Sequence, residues 1–342
     1  MNTTLSIVMP VFNHAEELKT MLDSILANTF QDWELLAVDD GSNPDTITLL
    51  KEYSAKDGRI KFILRDREPK GAQTCRNIGL ELTKGDFIVF FDSDDFVAPY
   101  CLEQRVRELL SHPELDFMVF RSGTFVDDTF HTEPNKNNYG YHIYNDDIAA
   151  FSARTLPFIV WNNIYRRTSL IEHEIHWDTS LLSLQDAQFN IECLIAGMQY
   201  DYSSCPPDYG YRTGNNGSVS KNILSQSHFD SNIYATERFY SLVQSRFMHR
   251  YDRQLLRGML FVYVKVSRTG VKTDFNKELA AVVRRHSPLR GLIFTMKIYL
   301  TRVLSIFLPL TTARRTPIIG YLMWYKHWEK WVIIKQKDIS NR

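Results

Sequence analysis

Four short, almost wholly apolar stretches mark the start of the chain: Leu5 to Val11, Trp33 to Val38, Ile60 to Leu64 and Phe87 to Phe91. Apolar runs of this length without polar alternation suit strands buried on both faces. Helix-length segments separate them, and between the first two Leu18, Met21, Leu22, Ile25 and Leu26 recur at helical spacing. Asn13 followed by Glu16 predicts a capping box at the start of that helix. Strand and helix in alternation predict an α/β fold with crossover connections and a largely parallel sheet. After Asn215-Asn216-Gly217 the chain becomes richer in helix formers, arginine and aromatics and shows no repeat, which predicts a helical C-terminal extension. The expected organisation is an α/β domain over 1–215, with halves 1–115 and 116–215, and a helical region over 216–342.

Open α/β sheets bind ligands beyond the carboxyl ends of their strands, so the residues that follow each apolar run carry the chemistry. Here they are strongly polar: Asp39-Asp40-Gly41-Ser42 after the second run and Asp92-Ser93-Asp94-Asp95 after the fourth. Carboxylates gathered this closely repel one another unless something positive lies among them. In an extended segment Asp92 and Asp94 point the same way and suit an ion that prefers hard oxygen ligands, Mg2+ or Mn2+. The same residues also suit a solvated turn or a helix cap near Pro99.

Four segments, taken in order, resemble the signature of family 2 glycosyltransferases over roughly residues 5–215. They are Ser6-Ile7-Val8-Met9-Pro10-Val11-Phe12-Asn13, Val38-Asp39-Asp40-Gly41-Ser42, Gly71-Ala72-Gln73-Thr74-Cys75-Arg76-Asn77 and Phe91-Asp92-Ser93-Asp94-Asp95. The resemblance implies the GT-A fold, a Rossmann-like mixed sheet flanked by helices, and a UDP-sugar donor. It also implies that Pro10 and Phe12 lie at the nucleobase, that Asp40 accepts a hydrogen bond from uracil, and that Arg76 lies near the diphosphate or nucleoside. Asp92 and Ser93 would then serve the donor, Asp92 and Asp94 the metal, with Asp95 close behind. A diphosphate leaving group accumulates negative charge as the sugar departs, which a carboxylate-held metal offsets as a Lewis acid.

Transfer also needs a base, because a sugar hydroxyl is a poor nucleophile until its proton is taken. Family members usually carry Glu-Asp at the start of a helix after the acceptor region; Gln185-Asp186 stands in that place, which makes Asp186 the expected base in an inverting displacement. Gln185 departs from the pattern. Ser183 three residues before Asp186 equally fits a helix cap. Trp161-Asn162-Asn163 resembles an acceptor-side loop that more often has lysine at the position of Asn163, and Tyr209-Gly210-Tyr211-Arg212 resembles the strand that closes the domain near the phosphates. His173-Glu174-Ile175-His176 lacks the spacing of a helical zinc motif.

The chain has 342 residues, 44% of them hydrophobic, enough for one large or two modest cores. Forty basic residues balance forty acidic ones, so nothing in the overall charge points to nucleic acid. Cys75, Cys101, Cys193 and Cys205 form no C-x-x-C pair, which argues against a zinc site or disulfide framework and fits a reducing cytoplasm. The first apolar run has no basic residue before it and is interrupted by Pro10, so a buried strand is expected there rather than a signal peptide.

The charge balance conceals a basic C-terminus: from Arg284 to Arg342 twelve Lys or Arg face only Glu329 and Asp338. Within it Leu292, Met296, Tyr299, Leu300, Val303, Ile306 and Phe307 share a helical face opposite Thr295, Thr301, Arg302 and Ser305. Lys297 and Arg302 near the middle favour a helix that lies in a membrane interface over one that crosses it, with Trp324, Trp328 and Trp331 at headgroup depth. A helix packed on the rest of the protein has the same pattern. The expectation is a peripheral enzyme at the cytoplasmic face of a membrane, acting on a glycan or lipid-linked saccharide. Two alternatives are a sugar nucleotidyltransferase, which would need a Gly-rich loop where Pro10-Val11-Phe12-Asn13 stands, and a non-catalytic donor-binding partner, suggested by Gln185.

Overall fold

A computed structural model describes residues 4–135, 137–213, 225–267 and 275–307. The chain forms two compact units, Met1–His142 with Pro157–Asn216, and Ile143–Leu156 with Gly217–Arg342.

In the first unit the chain begins β1 (Leu5–Val11), α1 (Ala15–Leu26), β2 (Trp33–Asp39), α2 (Pro44–Lys56), β3 (Ile60–Leu64), α3 (Ala72–Leu82) and β4 (Phe87–Phe90). It goes on through β5 (Phe96–Val97), α4 (Cys101–Leu110), β6 (Phe117–Val119), β7 (Ser122–Val126) and β8 (Thr129–His131). The second unit takes α5 (Asp147–Ser152), after which the first resumes with a short turn of 3-10 helix at Val160–Asn162, then β9 (Asn163–Arg166), α6 (Arg167–Glu172), α7 (Gln185–Ala196), β10 (Tyr200–Tyr202) and β11 (Tyr209–Arg212).

Seven strands make the main sheet in the order β10-β6-β9-β4-β1-β2-β3. β1 is parallel to β2 and β4, and β2 to β3, whereas β9 runs antiparallel to β4 and β6. The parallel strands β4, β1, β2 and β3 are those that the alternation predicts, the antiparallel β9 makes the sheet mixed as the resemblance implies, and β1 and β2 are buried along their whole length. Glu34, a buried acidic residue near the start of β2, is tolerated because it accepts from the Ser6 hydroxyl at 2.7 Å and the Lys84 N–H at 2.7 Å and pairs with Lys61. A second sheet, β5-β11-β7-β8, stands beside the carboxyl end of β4.

The expected capping box does not form. Asn13 and His14 both sit in the left-handed region, and His14, with no side-chain cap, precedes α1. Asn13 instead cross-links two strand-end loops: its N–H donates to the Ser42 hydroxyl, and its side-chain carbonyl accepts from the Asn43 N–H, both at 2.9 Å. Asn43 is itself the cap of α2, accepting from the Thr46 N–H at 3.0 Å.

In the second unit α8 (Gln226–Phe247), α9 (Asp252–Ser267), α10 (Phe275–His286) and α11 (Pro288–Phe307) pack with α5. Phe239, Tyr240, Val243, Leu279, Val282, Val283 and Phe294 are buried. On α11 the sequence pattern meets an unexpected environment: Leu289, Leu292, Ile293, Met296 and Tyr299 are 72%, 54%, 42%, 63% and 71% exposed. Leu300, Val303, Ile306 and Phe307 of that expected face, and Trp324, Trp328 and Trp331, lie outside the described side chains. Among the described residues no helix is long and apolar enough to cross a membrane.

The seating of α3 on β1 depends on Gly79, where a Cβ would meet Val8 Cγ1 at 2.4 Å; at Gly58 it would meet nothing within 4 Å. Gly79→Val is expected to destabilise the protein by roughly 1–3 kcal/mol in urea denaturation, with Gly58→Ala close to neutral; equal effects would mean that α3 yields at this contact.

Candidate active site

The site grows from the carboxyl ends of β1, β2 and β4. Adjacent aspartates at the end of β2 have opposite tasks. Asp39 makes the turn, accepting from the Gly41 N–H at 3.0 Å and the Ser42 N–H at 3.2 Å, with Gly41 at φ 87°. Asp40, also buried, faces the neighbouring loop, where it accepts from the Gly71 N–H at 3.0 Å and pairs with Arg65 at 2.8 Å. Pro10 is buried in β1, paired in register with Val38. Phe12 just beyond is 44% exposed, and the Lys70 ammonium lies 3.9 Å from its ring centroid.

Arg76, on α3, is buried at the centre. It donates to Asp92 Oδ1 at 2.5 Å and to Gln185 Oε1 at 3.2 Å, and its guanidinium lies 4.4 Å from the Trp177 ring centroid. Burial works against its charge, but Asp92 and Asp186 more than compensate and hold its pKa above the usual value. The resemblance places this arginine beside the donor; in the structure its described partners are protein groups.

The acidic segment separates into distinct roles. Asp95 is buried, accepting from the Tyr209 hydroxyl and the Arg212 N–H, each at 2.7 Å, so it ties the segment to β11. Burial, then Asp94 and Asp92, push its carboxyl well up. Ser93 and Asp92 are half-buried, and the Asp92 N–H donates to the Tyr209 hydroxyl at 3.2 Å. Asp94 is at the exposed edge while its carbonyl accepts from Arg212 Nε at 2.6 Å; dense surroundings first, and Asp92 second, raise its carboxyl. No helix cap is made here, for α4 starts at Cys101 after Tyr100 without a side-chain cap.

Asp186 lies in the first turn of α7. The alternative of a Ser183 cap is not realised: Leu184 occupies the cap position in the left-handed region, with no side-chain cap bond. Asp186 Oδ1 is buried without a hydrogen-bond partner. Its pKa is pushed up to about 6, by burial first and with Asp92 adding to it, while Arg76 opposes. Gln185 still offers Arg76 an acceptor, so the departure from glutamate removes a charge and keeps the bond.

Trp161 is buried, its ring parallel to those of Tyr209 and Tyr211 at 4.6 and 5.9 Å between centroids. Asn163 does not reach the cleft; it is fully buried, donating to the Tyr165 hydroxyl at 2.6 Å and Asn190 Oδ1 at 3.0 Å. The structure thus brings together Arg76, Asp92, Gln185 and Asp186, places Asp94, Asp95, Tyr211 and Arg212 beside them, and leaves Asn163 in the core. Arg65, Lys70 and Trp177 escaped sequence reasoning, because each stands in a segment without periodicity or motif.

No three His, Cys, Asp or Glu side chains among the described residues converge to hold an ion by themselves. The donor set still fits Mg2+ or Mn2+, which binds through one or two carboxylates with substrate phosphates and water completing the shell. Asp94 is the carboxylate best placed for this, since Asp95 is engaged by β11 and one oxygen of Asp92 by Arg76.

Residues 6–174 match the family model described as glycosyl transferase family 2. The chain is 27% identical to EpsH of Bacillus subtilis over 61% of this chain and 60% of that protein, so it spans less than two thirds of this relative. It is 26% identical to the poly(ribitol-phosphate) beta-N-acetylglucosaminyltransferase TarP of Staphylococcus aureus, over 67% of this chain and 68% of TarP. Over 33% of the chain, and 44% of the relative, it is 37% identical to WfgD of Escherichia coli, a UDP-Glc:alpha-D-GlcNAc-diphosphoundecaprenol beta-1,3-glucosyltransferase. The fold matches the crystal structure of S. aureus TarS 1-349 in complex with UDP-GlcNAc, with a TM-score of 0.67 at 16% identity, over 99% of this chain and 90% of that one.

A buried carboxyl with a raised pKa destabilises the folded state once it ionises, so stability should fall as pH rises from 3.8 to about 6. Asp186→Asn removes that dependence. The variant is expected to be more stable than the wild type at pH 7.5 by roughly 1–3 kcal/mol, with no gain below pH 3.8; parallel pH profiles from thermal unfolding would contradict this.

Proposed function

The chain belongs to glycosyltransferase family 2, and on that premise we propose that it is an inverting enzyme transferring a sugar from a UDP-sugar to a glycan or lipid-linked saccharide acceptor in surface-polysaccharide synthesis. The observation that carries this reading is Asp186: a carboxylate buried without a partner on Oδ1, ionised near neutral pH, and joined through Arg76 to the carboxylates of the donor side.

In this reading Phe12 and Pro10 take the uracil ring, and Asp40, fixed by Arg65 and the Gly71 N–H, accepts from its imide N–H. Asp92 and Ser93 receive the ribose, and Arg212 faces the diphosphate. Asp94, with Asp92, would hold Mn2+ or Mg2+, whose charge offsets that of the leaving diphosphate. Asp186 takes the proton from the acceptor hydroxyl as its oxygen bonds to the anomeric carbon, and the bond from that carbon to the diphosphate oxygen breaks on the opposite face. One displacement inverts the configuration. Arg76 positions both carboxylates and keeps Asp186 ionised. TarS has been crystallised with UDP-GlcNAc and with UDP, which favours a uridine donor here.

We also infer peripheral attachment at the cytoplasmic face of a membrane. Leu289, Leu292, Ile293, Met296 and Tyr299 of α11 are exposed, and the basic excess of the C-terminal sequence suits anionic headgroups.

Calorimetric titration of UDP should show binding strengthened by Mn2+ in the wild type and insensitive to Mn2+ in Asp94→Ala. Asp186→Asn should keep the affinity for UDP and lose transfer; transfer retained in that variant would reject Asp186 as the base. In sedimentation with phosphatidylglycerol vesicles, Leu292→Glu/Met296→Glu should reduce bound protein by about tenfold, and equal sedimentation would place this face elsewhere than on a membrane.

A further inference from the structure

Against Trp161 stands a tyrosine that no motif marks, near enough to Asp186 to feel its charge. Tyr139 is on the loop after β8, and its ring meets the Trp161 ring edge-on, with centroids 5.8 Å apart and an interplanar angle of 79°. Trp161 is fixed from behind, because its carbonyl accepts from the buried Arg105 at 2.8 Å. On the other side Tyr211 lies parallel to the same indole. Tyr139 and Tyr211 keep part of their surface exposed, while Trp161 beneath them is buried.

The loop is built to hold Tyr139 in place. Asn138, fully buried, donates to the Ser122 carbonyl at 2.7 Å. The Tyr139 N–H donates to the Ser122 hydroxyl at 3.0 Å, and its carbonyl accepts from the Ser122 N–H at 3.1 Å. Gly140 follows at φ 81°, so close to β7's approach that a Cβ would lie 2.1 Å from the Phe120 carbonyl oxygen. Anchors of this density around one partly exposed aromatic exceed what a surface loop needs for itself.

The groups around this wall define what it accepts. Tyr139 is raised by burial and then by Asp186; Tyr211 is pushed up to about 12 by burial and then by Asp95, Tyr139, Asp94 and Asp92. Of the arginines close by, Arg76 is held by the Asp92 carboxylate, and Arg212 donates its Nε to the main-chain carbonyl of Asp94 and is left for the donor. A pyranose ring has C–H faces to lay on this aromatic surface and hydroxyls for the polar groups around it, whereas an acyclic alditol phosphate has no ring face to offer.

We propose that Tyr139, with Tyr211, forms the wall that holds the acceptor, and that the acceptor presents there an uncharged pyranose ring rather than an alditol phosphate. This rests on the reading of Asp186 as the base beside which the acceptor hydroxyl is placed. Tyr139 is thereby a substrate-binding residue on the acceptor side alone.

The test is saturation-transfer NMR on the full chain, without and with UDP, using methyl β-glucopyranoside, methyl N-acetyl-β-glucosaminide and ribitol 5-phosphate as probes. Ring protons of a pyranoside should receive saturation and ribitol 5-phosphate should not. In Tyr139→Ala the pyranoside signal should fall by at least about fivefold, the loss of one aromatic contact, with UDP affinity within about twofold of wild type; Tyr139→Phe should keep most of the signal. If Tyr139→Ala fails to fold, Tyr139→Leu is read in the same way. Saturation of ribitol 5-phosphate at or above the pyranosides, no saturation of any pyranoside, or unchanged signals in Tyr139→Ala and Tyr139→Leu would each overturn the proposal. Pyranoside binding without UDP binding would leave it standing and overturn the donor reading instead.

Discussion

Asp92, Asp94, Asp95 and Asp186 lie near one end of the sheet, and Arg76 stands buried among them, bonded to Asp92 and attracted by Asp186. Carboxylates drawn together out of water repel one another and lose solvation, so such a group persists only where opposite charge or donors are fixed among them. Each carboxylate is treated differently. Asp95 receives two donors from β11, Asp92 receives the guanidinium, and Asp186 keeps one oxygen unbonded. The arginine is in turn held by α3, by the face of Trp177 and by Gln185, so the packing of α3 on β1 is also what places the charge.

A second buried pair fixes the surroundings of Trp161. Arg105 and Asp208 are both fully buried and bonded by two parallel N–H to oxygen contacts at 2.8 and 2.6 Å, with Arg105 also near the Phe91 and Phe120 rings. Asp208 immediately precedes β11, and Arg105 reaches the Trp161 carbonyl, so one ion pair joins α4, the turn at Trp161 and the strand of Tyr209 and Tyr211. Removing either partner would strand a charge in the core, at a cost of about 3–5 kcal/mol.

Much of this was legible in the chain. The four apolar runs are β1 to β4, and the motifs fall at their carboxyl ends, because buried parallel strands leave an unmistakable apolar signature. The capping box at Asn13 was misread: local composition shows a side chain that can cap, but the residue was recruited to a neighbouring loop 30 positions away. The antiparallel entry of β9 and the small sheet other than β11 were invisible, since strands of two to five residues carry too little pattern. In the site, the motifs marked Asp92, Asp94 and Asp186 but not Trp177 or Tyr139, whose positions depend on long-range packing. Asn163 shows the converse, a motif position that the core has absorbed.

The loop that bears Tyr139 is held almost wholly by main-chain atoms, a buried Asn138 and the conformation of Gly140. The backbone at 139 is therefore placed largely by contacts that its own side chain does not make. If the acceptor rests on this ring, a single codon exchanges one preference for another, which gives the position the character of an interchangeable adaptor.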